Sequence, residues 1–123
     1  MATRGAGQLF GLSERQIQAA VLEHWRALAL PDTLVAAIPN ANAFGQDGLT
    51  PGLFDLIVFT PKLSPAVGFL ELKKAGGRLS AAQTEMKLMM VRLGVPYAVT
   101  FGRDQPIHVL EEWGAVRPQR AAA

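Results

Sequence analysis

Two apolar runs, LFDLIVFT at residues 53–60 and VGFLELK at Val67–Lys73, stand either side of a proline-flanked turn and constrain this chain more than any other feature. Each is too short for a buried helix and too continuously apolar for an open edge, so the two read as a hairpin covered on both faces. Covering it takes helices, and the flanking sequence supplies them. Ser13-Glu14-Arg15-Gln16 is a capping box, and the helix after it sets Ile17, Val21, Trp25 and Leu28 on one stripe, with Glu14 at the stripe's border. Pro31-Asp32 ends that helix, residues 34–38 form a short strand, and residues 39–52 form a loop rich in Asn, Gly and Pro. Beyond Gly76-Gly77, Ser80-Ala81-Ala82-Gln83 is a second capping box. Its helix is expected to bury Ala82, Met86, Met89, Met90 and Leu93, with Gly94 as its stop. Residues 95–101 are a further strand, and Asp104 is expected to cap a last helix holding Ile107, Leu110 and Trp113 and closed by Gly114. The order helix, strand, hairpin, helix, strand, helix gives an α/β fold, a mixed sheet flanked by helices, with one domain over residues 12–116 and flexible tails at 1–11 and 117–123.

Several chemistries are excluded outright. The 123 residues contain no cysteine and two histidines, His24 and His108, which removes thiol nucleophiles, disulfides and His- or Cys-rich metal sites. No apolar run approaches the length of a membrane span, and no secretory leader precedes the first helix, so the expected setting is the cytoplasm. The net charge of +2 conceals an asymmetry. Residues 60–103 hold seven basic side chains (Lys62, Lys73, Lys74, Arg78, Lys87, Arg92, Arg103) against Glu71 and Glu85. One basic face suits a polyanion, although an ordinary solvated surface accounts for charge alone equally well.

Asp55 and Glu71 are out of place. Each is a carboxylate inside an apolar strand, where an ionised group is costly unless paired, hydrogen-bonded or bound to a cation. Glu71 and Lys73 share a strand face, and pairing of the two strands would bring Asp55 beside Glu71. Two such carboxylates repel unless a cation lies between them, and hard oxygen donors favour Mg²⁺ or Mn²⁺. A metal-free alternative is a buried Asp55–Lys73 or Glu71–Lys73 ion pair.

Across residues 13–114 the chain resembles a VRR-NUC domain, the virus-type replication-repair nuclease branch of the PD-(D/E)xK nucleases. The stretches that carry the likeness are SERQIQAAVLEHW, AIPNANAFG, GLTPGLFDLIVF, GFLELKKAGGRLSAAQTEM, LGVPYAV and LEEWG. The most specific block is Glu71-x-Lys73 followed by Leu79-Ser80-x-x-Gln83. The resemblance implies a restriction-endonuclease-like core, with Glu14 as the first-helix acid, Asp55 and Glu71 as the metal-binding carboxylates, and Lys73 as the motif lysine. Gln83 becomes the glutamine of the following helix, orienting Lys73 or a water as well as closing its cap. One departure stands out: Phe54 occupies the usual proline position before Asp55.

The resemblance further implies a Mg²⁺/Mn²⁺-dependent DNA endonuclease leaving 5′-phosphate and 3′-hydroxyl ends. The metal ligands would be Asp55, Glu71, the Leu72 backbone carbonyl and, for a second ion or its water shell, Glu14. Lys74, Arg78, Lys87, Asn40 and Asn42 are the candidate nucleic-acid contacts. Small stand-alone members of the family look phage-associated and act on branched DNA such as four-way junctions. A non-catalytic nucleic-acid-binding module on the same fold is the rival reading. Leu88 and Val91, projecting away from the expected methionine stripe, suggest a homodimer interface.

Overall fold

The computed structural model describes residues 11–39 and 47–119. Helix α1 (Glu14–Leu28) leads to strand β1 (Leu34–Ala37), then β2 (Leu56–Phe59), β3 (Val67–Lys73), helix α2 (Ala81–Leu93), strand β4 (Tyr97–Phe101) and helix α3 (Asp104–Glu112). The sheet runs β1-β2-β3-β4. The first three strands are antiparallel, and β4 returns parallel to β3 after the α2 crossover, so the sheet is mixed. Asn40 and Asn42 lie outside the described residues.

Alternation along the strands sends Val35, Leu56, Val58, Leu70 and Leu72 to one face, where they meet Ile17 and Val21 of α1 and Leu110 of α3. Both capping boxes form: Ser13 with Gln16, and Ser80 with Gln83. Behind α3, Ala115 and Val116 are fully buried. Thr60 donates its hydroxyl to the carbonyls of Trp113 and Gly114, which ties the end of β2 to the exit of α3. Arg117 donates from its backbone to Leu28, and Gln119 to Glu111, so docked backbone continues past residue 116.

Three local expectations are corrected. The strand read at residues 53–60 is shorter: β2 begins at Leu56, and Asp55 precedes it. Asp104 is the first residue of α3 rather than its cap; Arg103 holds the cap position without a side-chain cap bond and instead donates to Asp104. The expected stripe of α2 is covered only in part, with Ala82 and Met86 half-buried. Met90 is the buried residue of that helix, whereas Met89 and Leu93 are 42% and 64% exposed, beside Leu88 at 46% and Val91 at 60%. Apolar residues lie all round this helix, so its pattern does not single out the buried side.

The first turn of α2 is held against the segment before β2 by Gly52. A Cβ at Gly52 would stand 2.5 Å from both the carbonyl carbon and the oxygen of Ala82, at a φ of +83° that side chains rarely adopt. Gly48 has a similar φ of +84° but open space around it. Gly52→Ala is therefore expected to lower stability by about 2 kcal/mol beyond the cost of Gly48→Ala, since only the former pushes backbone against backbone. Thermal unfolding of the two variants side by side checks it, and equal losses would contradict the close approach.

Candidate active site

Asp55 sits where the β2–β3 ladder gives out. Its backbone N–H donates to Leu70 at 3.1 Å, and its carbonyl accepts from Ile38 at 2.8 Å. The next rung is made by its side chain: Oδ2 accepts from the Leu72 N–H at 2.7 Å. In extended backbone the N–H and C=O of one residue point to the same side, so the Leu72 carbonyl faces the same gap beyond the last β2–β3 pair. Phe54, which stands in the usual proline position, is 2% exposed and stacks on Phe69 at 5.2 Å, with Tyr97 at 6.2 Å. An aromatic anchored on β3 and β4 thus holds the backbone that presents Asp55.

Glu71 is 2% exposed, on β3. Gln83 donates Nε2 to its Oε2 at 2.9 Å, while Oε1 is buried with no donor among the described residues. Thr100 on β4 donates its hydroxyl to the Glu71 carbonyl at 3.0 Å, fixing the backbone from the other side. The Glu71 carboxyl is pushed up from 4.5 to about 9, first by burial, then by a shared proton with Asp55 and by the Asp55 charge; Lys73 opposes the rise and Glu14 adds to it. Without a cation, Glu71 therefore keeps its proton at neutral pH.

Lys73 is almost buried, and the ion pair it makes is with Glu14, at 3.9 Å between Nζ and Oε2. Glu14, in the first turn of α1, combines a favourable helix-terminus position with an approach to the site, its side chain 45% exposed. It lies toward Lys73, and among the described residues no three acidic or histidine side chains converge as a ready-made metal cage. Glu14, Asp55, Glu71, Lys73 and Gln83 are nonetheless linked, through the Lys73–Glu14 ion pair, the Gln83–Glu71 hydrogen bond and the proton shared by Asp55 and Glu71. Gln83 closes its cap on Ser80, and its amide nitrogen donates to Glu71, where the resemblance implied that it would orient Lys73 or a water. Lys74 and Arg78 are exposed just beyond β3, and Lys87 is half-buried on α2.

Sequence reasoning passed over Thr100, Phe54 as an anchor, and Gly52; a hydroxyl inside the apolar run VPYAVTF was the available signal for the first. His24 is half-buried on α1 with a buried Nε2 that has no partner among the described residues, and His108 is exposed, 2.7 Å from Glu112.

Among solved structures similar in three dimensions, two are informative. A "VRR_NUC domain protein" superposes with a TM-score of 0.69 at 24% identity, covering 84% of this chain and 88% of that one. The fold is that of a VRR-NUC domain. A second structure, a "VRR_NUC domain", gives a TM-score of 0.58 at 19% identity over 82% of this chain and 97% of its own. No protein-family model and no curated protein matches the sequence. On the VRR-NUC fold the mixed sheet is the platform, and the carboxylates gather where β3 runs past the start of β2.

Proposed function

We propose that this protein is a metal-dependent endodeoxyribonuclease acting on branched DNA, including four-way junctions. The observation that carries the reading is the buried Glu71 carboxyl beside Asp55, with an oxygen, Oε1, that has no donor among the described residues. A donor set of two carboxylates and a backbone carbonyl, all hard oxygens, fits Mg²⁺ or Mn²⁺. Asp55, Glu71 and the Leu72 carbonyl would hold the ion, and Glu14 would order its water shell or a second ion. When bound, such an ion polarises the scissile phosphate and acidifies a water. Lys73, beside Glu14, would hold the attacking water in line and offset charge growing on the phosphoryl oxygens. Lys74, Arg78 and Lys87 meet the DNA backbone as point charges, and Asn40 and Asn42 belong to the same reading. Among the described residues no helix is long and apolar enough to cross a membrane. DNA inside the cell is the natural substrate for such a site, so the proposed location is the cytoplasm.

The test is incubation of the purified protein with duplex, single-stranded, flap and four-way-junction DNA, with and without Mn²⁺. Metal-dependent cutting that favours the junction supports the proposal. Binding of DNA with no cutting would replace it with a non-catalytic binding module.

The proposed enzyme works as a homodimer. One chain presents one Asp55–Glu71 pair, whereas resolving a four-way junction takes two symmetric cuts, so the partner that completes the reaction is a second copy. The exposed ridge of Leu88, Met89, Val91 and Leu93 on α2 is the self-complementary surface proposed for it. Leu88→Glu combined with Val91→Glu is expected to give a folded monomer that nicks junctions without pairing its cuts. Sedimentation checks this at micromolar concentration: wild type running as a monomer, with and without DNA, overturns the dimer, and a double mutant that stays dimeric overturns the interface.

A further inference from the structure

The last residue of β4 is an aromatic left open beside the candidate site. Tyr97, Ala98 and Val99 are half-buried and Thr100 is buried, whereas Phe101 is 36% exposed. The parallel register sets Val99 against Glu71 and Phe101 against Lys73. Side chains two residues apart share a sheet face, so Phe101 lies on the face of Glu71 and Lys73, one strand spacing of about 4.8 Å from the lysine. Its backbone is anchored. The Phe101 N–H donates to Gln105 Oε1 at 2.9 Å, and the next N–H, that of Gly102, donates to the Lys73 carbonyl at 2.9 Å. Lys74 and Arg78, just beyond the same end of β3, are exposed. Shielding the methylene stem of Lys73 would call for an apolar side chain at 101, and leucine would serve. It does not call for an aromatic ring left partly open to solvent beside two basic side chains.

Resting on the nuclease reading, which sets DNA over Glu71 and Lys73, we propose that Phe101 stacks on an unpaired base next to the scissile phosphate. In a continuous duplex every base face is covered by its neighbours. A ring beside the catalytic lysine finds an open face only where stacking is broken, at an unpaired nucleotide or a branch point. Every base has such a face, so the contact selects DNA structure and carries no sequence preference. Lys74 and Arg78 supply phosphate contacts, which duplex and branched DNA satisfy alike. The preference for broken stacking then rests on the aromatic.

The test crosses protein variants with abasic DNA. Four-way junctions carry a tetrahydrofuran abasic residue in turn at each nucleotide flanking the branch point, and Kd is measured with Ca²⁺ in place of Mn²⁺. Phe101→Leu should keep wild-type thermal stability yet bind the intact junction about 10-fold more weakly, while Phe101→Trp binds at least as tightly as wild type. At one position the abasic residue should weaken wild type and Phe101→Trp by about 10-fold and leave Phe101→Leu unchanged. Continuous duplex should be bound equally by all three. Phe101→Trp also reports by itself if the leucine variant fails to fold: its added indole emission should be quenched by the intact junction and not by the junction abasic at that position. Wild-type affinity in Phe101→Leu, abasic penalties shared by all three proteins, equal losses on junction and duplex, or an emission indifferent to the base each overturn the inference and leave the nuclease reading to its cleavage assay. Coupling to one abasic position in a protein that cuts no DNA with Mn²⁺ removes the nuclease reading and keeps the contact. A wild type that binds no DNA overturns both.

Discussion

Asp55→Asn and Glu71→Gln should each reduce Mn²⁺-dependent cleavage by about 10²–10³-fold or more while leaving the protein folded and able to bind DNA. Both substitutions are nearly isosteric, and the hydrogen bonds around them explain why the fold survives. An asparagine at 55 still offers an oxygen to the Leu72 N–H, which Asp55 accepts at 2.7 Å. A glutamine at 71 still offers one to Gln83 Nε2. In each case the new amide can donate toward the remaining carboxylate, replacing the shared proton that holds the pair together in the absence of a cation. What disappears is the second negative charge, and with it the affinity for a divalent ion. A readout independent of DNA follows: Mn²⁺ should raise the unfolding temperature of the wild type and leave that of both variants unmoved. Full Mn²⁺-dependent activity in either variant would remove Asp55 and Glu71 from the metal site.

The parts of this site that could be read from the sequence are those where chemistry contradicts surroundings. A carboxylate in LFDLIVF and another in GFLELK are conspicuous because the strands around them are apolar, and the structure brings both to one point. The element order was legible for a related reason: capping boxes at Ser13 and Ser80 and the Gly94 stop are local signals that tertiary packing had no reason to override. Asp55 shows the limit. Hydrophobicity alone ran the strand through it, yet its side chain takes the place of a ladder rung, and competition between a side-chain oxygen and the backbone is invisible to periodicity. Helix α2 failed for the opposite reason. With apolar residues on several faces, a stripe can be drawn in more than one direction, and the buried side is decided by how Gly52 and Gln83 dock the first turn. Asp104 reads equally well as a cap or as the first helical residue; a pairing with Arg103 that no spacing encodes went with the second.

The same buried pair should make the metal-free protein less stable as pH rises, the reverse of the usual behaviour of a carboxylate in a salt bridge. Glu71 titrates near 4.5 when unfolded and is pushed up to about 9 in the fold, chiefly by burial and by Asp55. Between those values the native state binds a proton that the unfolded chain has released, so unfolding is favoured by each increment of pH. The contribution is fully present below the unfolded value and is lost as pH rises through the window. The slope approaches about 1.4 kcal/mol per pH unit at most, and water entry on ionisation makes the realised slope smaller. Glu71→Gln carries no titrating group and should lack this slope. In chelator, urea unfolding of wild type and Glu71→Gln is expected to agree closely at pH 5, with the variant more stable by roughly 2 kcal/mol or more at pH 8. Saturating Mn²⁺ should restore the wild type at pH 8, because the ion takes over from the proton in neutralising the pair, and should do nothing for the variant. Parallel stability curves for the two proteins in chelator would mean that Glu71 ionises freely in the fold. Its orphan oxygen would then be one that water, rather than a metal, is able to satisfy.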